Sequence, residues 1–188
     1  MGKGLRRKDN RGVSLVELII VIAILGVIIG VMGYGMGMVS KKPVDECAKK
    51  IEMILNQSRT GAMGSTEAWV ELYLNNAADR RVTVKTHLLN NTRGGIPDPK
   101  ETESVIGGAG VGVRLYYNTG GGESGMDLGT EHQKIGFKRD SGSLTSGVDR
   151  VGNHGNAGGR VYTRIQIYKG TYVRTIELDK LTGKVRLY

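Results

Sequence analysis

In the stretch RGVSLVELIIVIAILG, residues 11–26, one acidic side chain, Glu17, interrupts an apolar segment that runs from Val13 to Val39. A helix of these 27 residues would be about 40 Å long, which exceeds the ~30 Å hydrocarbon core of a bilayer. The segment is therefore predicted to form a membrane helix. A charged side chain within such a helix costs roughly 2.5–3.5 kcal/mol on insertion scales, so Glu17 is a candidate functional residue.

The charges on either side of this segment predict its orientation. The chain has a net charge of +9, of which +4 lies in residues 1–12 and +5 in the remainder. Only two lysines, Lys41 and Lys42, follow the segment at once. Because the stronger positive cluster precedes the helix, we expect the N-terminus in the cytoplasm and the larger C-terminal part outside. A secretory signal peptide would have a shorter apolar core of about 7–15 residues.

A basic leader that ends in Gly12, followed by an apolar helix with a glutamate as the fifth residue after that glycine, resembles the N-terminus of type IV pilins and pseudopilins. The resemblance covers roughly residues 6–35. It implies that a prepilin peptidase cuts between Gly12 and Val13 and that the new amine of Val13 is methylated. Val13 stands where the family usually has phenylalanine. The family's filaments also imply other pilin or pseudopilin subunits and an assembly platform protein as partners.

Cleavage would supply a chemical role for Glu17. It would place a cationic amine on Val13, and a carboxylate and an ammonium attract strongly in a medium of low dielectric constant. The resemblance implies that Glu17 pairs with the amine of a neighbouring subunit and sets the register of assembly. Glu17 is also one helical turn from Val13 of its own chain, so pairing within one subunit is the alternative.

The rest of the chain predicts an α+β head. Residues 40–64 have apolar side chains at helical spacing, and Pro43 begins a new helix or kinks a longer one. Alternating segments after residue 65 predict one antiparallel sheet packed on this helix. The predicted strands are residues 68–75, 80–88, 112–118, 134–139, 160–168, 171–178 and 184–188.

The sequence is thus divided into four parts by pattern and resemblance. These are a cleaved basic leader at 1–12, a transmembrane and assembly helix at 13–39, an amphipathic helix at 40–64, and a β-rich head with glycine-rich loops at 65–188. The end of the chain, YVRTIELDKLTGKVRLY (172–188), is similar to minor pseudopilins of type II secretion and related minor pilins. The second half of the membrane segment, GVMGYGMG (30–37), lacks the proline common in major pilins, which favours a minor subunit.

Residue types that support catalysis are not arranged in a recognisable motif. The run GGAGVG (107–112) has no βαβ context, so a dinucleotide site is not expected. His87, His132 and His154 are predicted to be surface residues without metal spacing. The three acidic residues of one glycine-rich loop, Glu123, Asp127 and Glu131, are interpreted as a solvated loop in preference to a calcium site. Cys47 is the single cysteine. We expect no enzyme activity, no cofactor and no metal.

The sequence therefore predicts a structural subunit of a type IV pilus, type II secretion or competence filament. The subunit would sit in the cytoplasmic (inner) membrane by a single span and then enter an extracellular or periplasmic filament. A membrane-anchored extracellular binding protein is one alternative. A filament-tip subunit that binds DNA for uptake is another, suggested by the mature charge and by four arginines near the terminal strands, Arg160, Arg164, Arg174 and Arg186.

Overall fold

The computed structural model describes residues 14–65, 67–75, 80–91, 97–118, 121–145 and 160–188. The predicted leader, the cleavage position between Gly12 and Val13, and His154 lie outside these residues. By its internal contacts the chain divides into two units, Met1–Val39 and Ser40–Tyr188.

One helix, α1 (Leu15–Gly64), contributes to both units. Pro43 lies inside it, so the alternative in which a new helix starts at this proline is wrong. The helix ends at Gly64, which is the predicted end of the amphipathic helix. From Leu15 to Ile29 its large apolar side chains are exposed, with exposed fractions between 43% at Ile28 and 76% at Leu15. Across the described part of the chain, no helix reaches the length and apolarity required of a membrane span.

The second unit contains two antiparallel sheets among the described residues, where the sequence predicted one. The first sheet has the order β3-β2-β1-β6-β7 and the second has the order β10-β9-β8-β4-β5. The strands are β1 Glu67–Leu74, β2 Val82–Asn91, β3 Pro97–Val105, β4 Gly112–Asn118, β5 Glu123–Asp127, β6 Gln133–Phe137, β7 Leu144–Thr145, β8 Tyr162–Lys169, β9 Tyr172–Leu178 and β10 Val185–Leu187.

The amphipathic pattern of residues 40–64 is confirmed by burial. The helix contributes one stripe to a core that it shares with strands of both sheets, namely Val44, Cys47, Ala48, Ile51, Leu55 and Ala62. Leu72 of β1 and Ile165 of β8 are fully buried in the same core. Burying one such side chain contributes roughly 1.5–3 kcal/mol, so this stripe is what holds the helix to the sheets.

The seven predicted strands are all present, with ends shifted by at most three residues. The last two hairpins are also as predicted, since β9 pairs with β8 and β10 pairs with β9. Three further strands, β3, β5 and β7, were not predicted. The prediction of a single sheet is wrong. Each of the two sheets is completed by a pairing between strands that are distant in sequence, β1 with β6 in the first and β4 with β8 in the second.

Candidate functional site

The start of α1 places Glu17 in the first turn of the helix, with its side chain exposed. Ser14 immediately precedes the helix, and its carbonyl oxygen accepts a hydrogen bond of 3.1 Å from the backbone N–H of Leu18. In the sequence, Ser14 and Glu17 have the Ser-x-x-Glu spacing of a capping box. The positive end of the helix dipole also favours a carboxylate here.

This spacing gives Glu17 a second candidate role, as a helix cap, beside its predicted role in assembly. A capping glutamate and an assembly glutamate are not mutually exclusive, but they differ in one chemical requirement. A capping box accepts glutamine at this position, whereas pairing with an ammonium group needs the negative charge. Glutamine at position 17 therefore separates the two roles.

A second concentration of polar groups, here called the Glu71 cluster, lies on the first sheet and comprises Trp69, Glu71, His87, His132 and Lys134. Strand β1 supplies Trp69 and Glu71, β2 supplies His87, and β6 with the residue before it supplies Lys134 and His132. Strand alternation places Trp69 and Glu71 on the face opposite the buried Ala68, Val70 and Leu72. The cluster therefore lies on the outer face of the sheet.

The Glu71 carboxylate is the centre of this cluster. Its Oε2 lies 2.7 Å from His132 Nδ1, and its Oε1 accepts a hydrogen bond of 3.2 Å from Trp69 Nε1. Lys134 Nζ is 3.5 Å from Oε1, and His87 Nε2 is 3.4 Å from the same atom. Burial of Glu71 raises its pKa, but the contacts with His87 and His132 outweigh burial and hold the pKa well below its usual range.

The prediction that the histidines are surface residues is wrong for His87, which is 8% exposed. Its ring stacks on Trp69 at a centroid distance of 4.7 Å, and its Nδ1 lies 2.8 Å from Glu101 of β3. His132 is half-exposed and stacks on Tyr73 at 3.9 Å. The two histidines are thus joined through one carboxylate, which their separation in the sequence did not reveal.

Glu71→Gln is expected to lower the free energy of unfolding of the head by about 2 kcal/mol at neutral pH, because hydrogen bonds to a charged group contribute roughly 1.5–3 kcal/mol. A lowered pKa gives stability that is present above the ordinary value of 4.5 and is lost as pH falls below it. The difference between variant and wild type should therefore shrink in acid. Urea unfolding at pH 7 and pH 3 measures both.

The matched control for this prediction is Glu177→Gln, which removes an exposed carboxylate from β9. It should change stability by less than about 0.5 kcal/mol at either pH. An equal, pH-independent loss in both variants would contradict a special role for Glu71.

Two features of the described residues bear on metal binding and thiol chemistry. Within the described ranges, no three His, Cys, Asp or Glu side chains are placed to hold a metal ion. Cys47 lies in the core, and burial raises the pKa of its thiol to about 12. A thiol is nucleophilic only as the thiolate, so Cys47 acts as a small core residue.

The acidic residues predicted to share one solvated loop are separated by the structure. Glu123 and Asp127 lie in β5, where that prediction is wrong, and Glu131 lies beyond the strand as an exposed residue. Arg114 of β4 donates two hydrogen bonds, of 2.8 and 2.9 Å, to the Asp127 carboxylate. Glu123 forms an ion pair with Arg164. Asp127 thus joins β5 to the neighbouring strand β4, whereas Glu123 joins β5 to β8 on the far side of β4.

Three of the four arginines that suggested DNA binding are engaged within the head. Arg164 lies over the ring of Tyr116 at 4.2 Å, and Arg160 lies over the ring of Tyr117 at 4.7 Å. Arg174 of β9 donates to Asp45 of α1 at 2.6 Å, and this hydrogen bond lowers the pKa of Asp45. These contacts tie the helix and strands together and reduce the charge available to a phosphate backbone.

Comparison with known families identifies the N-terminal segment. Residues 7–33 match the model of the prokaryotic N-terminal methylation motif. This match spans Gly12, Val13 and Glu17 and continues into α1. No curated protein and no solved structure matches the chain.

The motif indicates a type IV pilin-like precursor that is processed by prepilin peptidase and assembles with other pilins. Proteins with this motif are structural subunits, anchored first in a membrane and then exposed in a filament. The earlier resemblance to this class is therefore confirmed for the N-terminal segment. The likeness of the head to minor pseudopilins stays a prediction.

Proposed function

We propose that this protein is a minor pilin or pseudopilin of a type IV pilus, type II secretion or competence filament. Its precursor is cut between Gly12 and Val13, and Val13 is then methylated. Residues 13–39 hold the subunit in the cytoplasmic membrane with its head outside until an assembly platform protein passes it into the filament. The match of residues 7–33 to the methylation motif is the observation that carries this proposal.

The two units of the chain support separate roles for the N-terminal segment and the head. The second unit, from Ser40 onward, has its own core of helix and two sheets. In the first unit, the large apolar side chains described from Leu15 to Ile29 are exposed. Contiguous apolar surface of this kind favours a lipid environment or the packed helices of other subunits.

Assignment to a minor subunit rests on the sequence. Residues 30–37 contain glycines without the proline that is common in this helix of major pilins. The terminal β8-β9-β10 hairpins are consistent with the resemblance to minor pseudopilins, because they follow the predicted strand order. The partner proteins define the filament system to which the subunit belongs, and neighbouring genes would identify those partners.

Gly12→Val is expected to block removal of the leader, because a branched side chain would occupy the position that the peptidase requires to be glycine in this family. The precursor would be retained in membranes at full length. Electrophoretic mobility and intact mass of the protein, expressed with its cognate peptidase, measure this directly.

Gly4→Val is the matched control, since it makes the same chemical change eight residues earlier in the leader. This variant should be processed like the wild type. Normal processing of Gly12→Val, or equal loss in both variants, would argue against cleavage at Gly12.

A further inference from the structure

The second unit begins at Ser40, and three other segments of the head meet α1 close to this point. The loop between β3 and β4 lies against the helix, because a Cβ added at Gly108 would be 3.6 Å from the Cβ of Pro43. The start of β2 lies beside that loop, since the N–H of Gly107 donates to the carbonyl oxygen of Val82 at 3.2 Å. The residues just before β2 are therefore at the same end of the head as the start of the unit.

The turn between β8 and β9 is the third of these segments. Lys169 donates from Nζ to the carbonyl oxygen of Ala109, in the β3–β4 loop, at 2.9 Å. Tyr172 donates from its hydroxyl to Asp45 Oδ1 of α1 at 2.9 Å, and Lys41 Nζ lies 5.8 Å from the centre of the Tyr172 ring. The turn is thus held between the loop and the first residues that α1 contributes to this unit.

Basic side chains are concentrated where these four segments meet. Two come from α1, two directly precede β2, and one each comes from β8 and β9. We call these six described residues the basic end of the head: Lys41, Lys42, Arg80, Arg81, Lys169 and Arg174. The two lysines of α1 and the two arginines before β2 are exposed. Their charges are therefore within reach of a partner outside the head.

Carboxylates of the same end are fewer, and two of them are engaged within the head. Asp45 accepts a hydrogen bond of 2.6 Å from Arg174. Glu46 forms an ion pair of 3.9 Å with the lysine one helical turn earlier. Even with Asp79, which lies before β2 in the sequence, and Glu131, which lies before β6, the cations outnumber the carboxylates. The basic end therefore favours an anionic partner.

The proposed function puts this end of the head at the membrane surface. A helix of residues 13–39 would be about 40 Å long, which is close to the ~40–45 Å thickness of a bilayer with its headgroups. Lys41 and Lys42 follow directly, so their ammonium groups would lie at the level of the outer phosphates. Tyr172, next to Lys41, is of a residue type that is enriched at this level.

We propose that the basic end binds the anionic headgroups of phospholipids on the outer side of the cytoplasmic membrane and holds the head there until the subunit enters a filament. This inference rests on the proposed function, because that function places residues 13–39 in the bilayer. Lysine and arginine side chains form charge-assisted hydrogen bonds with phosphate oxygens. Each basic residue near an anionic lipid surface strengthens the attraction about fivefold.

Fluorescence quenching of the full chain in vesicles tests the proposal. A fluorophore on T171C, in the exposed turn between β8 and β9, reports contact with a lipid that carries a quencher on its headgroup. The native Cys47 is buried and should not be labelled. Quenching should rise severalfold when a third of the phosphatidylcholine is replaced by phosphatidylglycerol. Salt at about 1 M should remove the increase, because the Debye length falls to ~3 Å.

The variant K41Q/K42Q, made in the T171C background, should lose most of this increase. The equilibrium constant for docking, obtained from the dependence of quenching on phosphatidylglycerol, should fall at least tenfold, because two lysines contribute about fivefold each. The change removes positive charge only from the outer side of the membrane segment, so insertion and orientation should be unchanged.

The matched control is K180Q/K184Q, which removes two exposed lysines from the turn between β9 and β10. This turn is at a different place along α1, because Arg59 donates to the carbonyl oxygen of Thr182. Arg59 is 18 positions after Lys41, which is about 27 Å along the helix. The control should dock like the unsubstituted T171C chain.

Three results would overturn the inference while leaving the filament function intact, each in a chain that resists alkaline extraction from the vesicles. One is quenching that does not depend on phosphatidylglycerol, and another is an increase that K41Q/K42Q retains in full. The third is quenching in phosphatidylcholine alone that grows with the number of chains per vesicle, which would mean that the basic end meets a second copy. A chain that alkali extracts would instead contradict the proposed function, and this inference with it.

Discussion

Replacing Glu17 with valine is expected to remove the protein from filaments while its precursor is still inserted and processed. The change makes the helix more apolar, so insertion should be undiminished. The residues on both sides of the predicted cleavage position are unchanged. What is lost is the carboxylate that would pair with the amine of a neighbour's Val13. Leaving one member of a buried pair uncompensated costs roughly 3–5 kcal/mol, which corresponds to orders of magnitude in incorporation.

Glu17→Gln is the informative control for this prediction. Glutamine at position 17 keeps the spacing of a capping box with Ser14 but removes the charge. If charge pairing drives assembly, Glu17→Gln should fail as Glu17→Val does. If the cap is what matters, Glu17→Gln should assemble normally. Processing is followed by intact mass, and incorporation by shearing of filaments or crosslinking of membrane assemblies. Wild-type incorporation of processed Glu17→Val would contradict the pairing role altogether.

Gly183→Ala is expected to destabilise the head strongly. Gly183 has φ of +64°, a left-handed conformation that costs other residues about 1–2 kcal/mol. In addition, an added Cβ would overlap the carbonyl oxygen of Gly142. Because that neighbour is backbone, relief requires the turn to move, and overpacking of this kind costs a further ~1–3 kcal/mol.

Gly170→Ala provides a matched comparison. Gly170 has φ of +60°, but nothing lies within 4 Å of the position its Cβ would take. This variant should therefore show only the conformational cost. Urea unfolding monitored by circular dichroism should place Gly183→Ala clearly below Gly170→Ala. Equal stability of the two variants would show that the contact with Gly142 does not constrain the turn.

The prediction of strands from sequence succeeded where alternation was clean. The terminal segments that became β8, β9 and β10 alternate throughout and are separated by short turns, so local pattern determines them. Strand β3 was overlooked because Pro97, Pro99 and several charged residues precede Val105. These residues are tolerated because β3 is an edge strand and needs only one hydrogen-bonded neighbour.

The number of sheets could not be predicted from local pattern. It depends on pairings such as Val70 with Ile135 and Leu115 with Ile165, which join segments 50 or more residues apart. The core stripe of α1 fits one sheet or two equally well, because the helix only requires an apolar surface beneath it. Sequence patterning predicted the α+β class but not this division.

The polar contacts were the least predictable feature. His87 is buried because Trp69 stacks on it from the next strand and Glu71 lies beside it, and both contacts follow from the strand register. Strand pairing also supplies partners for two carboxylates. Asp127 contacts Arg114, 13 residues away, and Glu123 contacts Arg164, 41 residues away. By contrast, Glu17 could be identified at once, because a charge within an apolar segment is conspicuous without any knowledge of tertiary structure.

The most direct test of the filament-subunit function is the N-terminal and intact mass of the wild-type protein recovered from membranes or sheared filaments. A mature chain that begins at Val13 is the predicted result, because prepilin processing removes residues 1–12 and leaves Glu17 as its fifth residue. A chain that retains residues 1–12, or one that begins beyond Met32 as after a secretory cut, would contradict it.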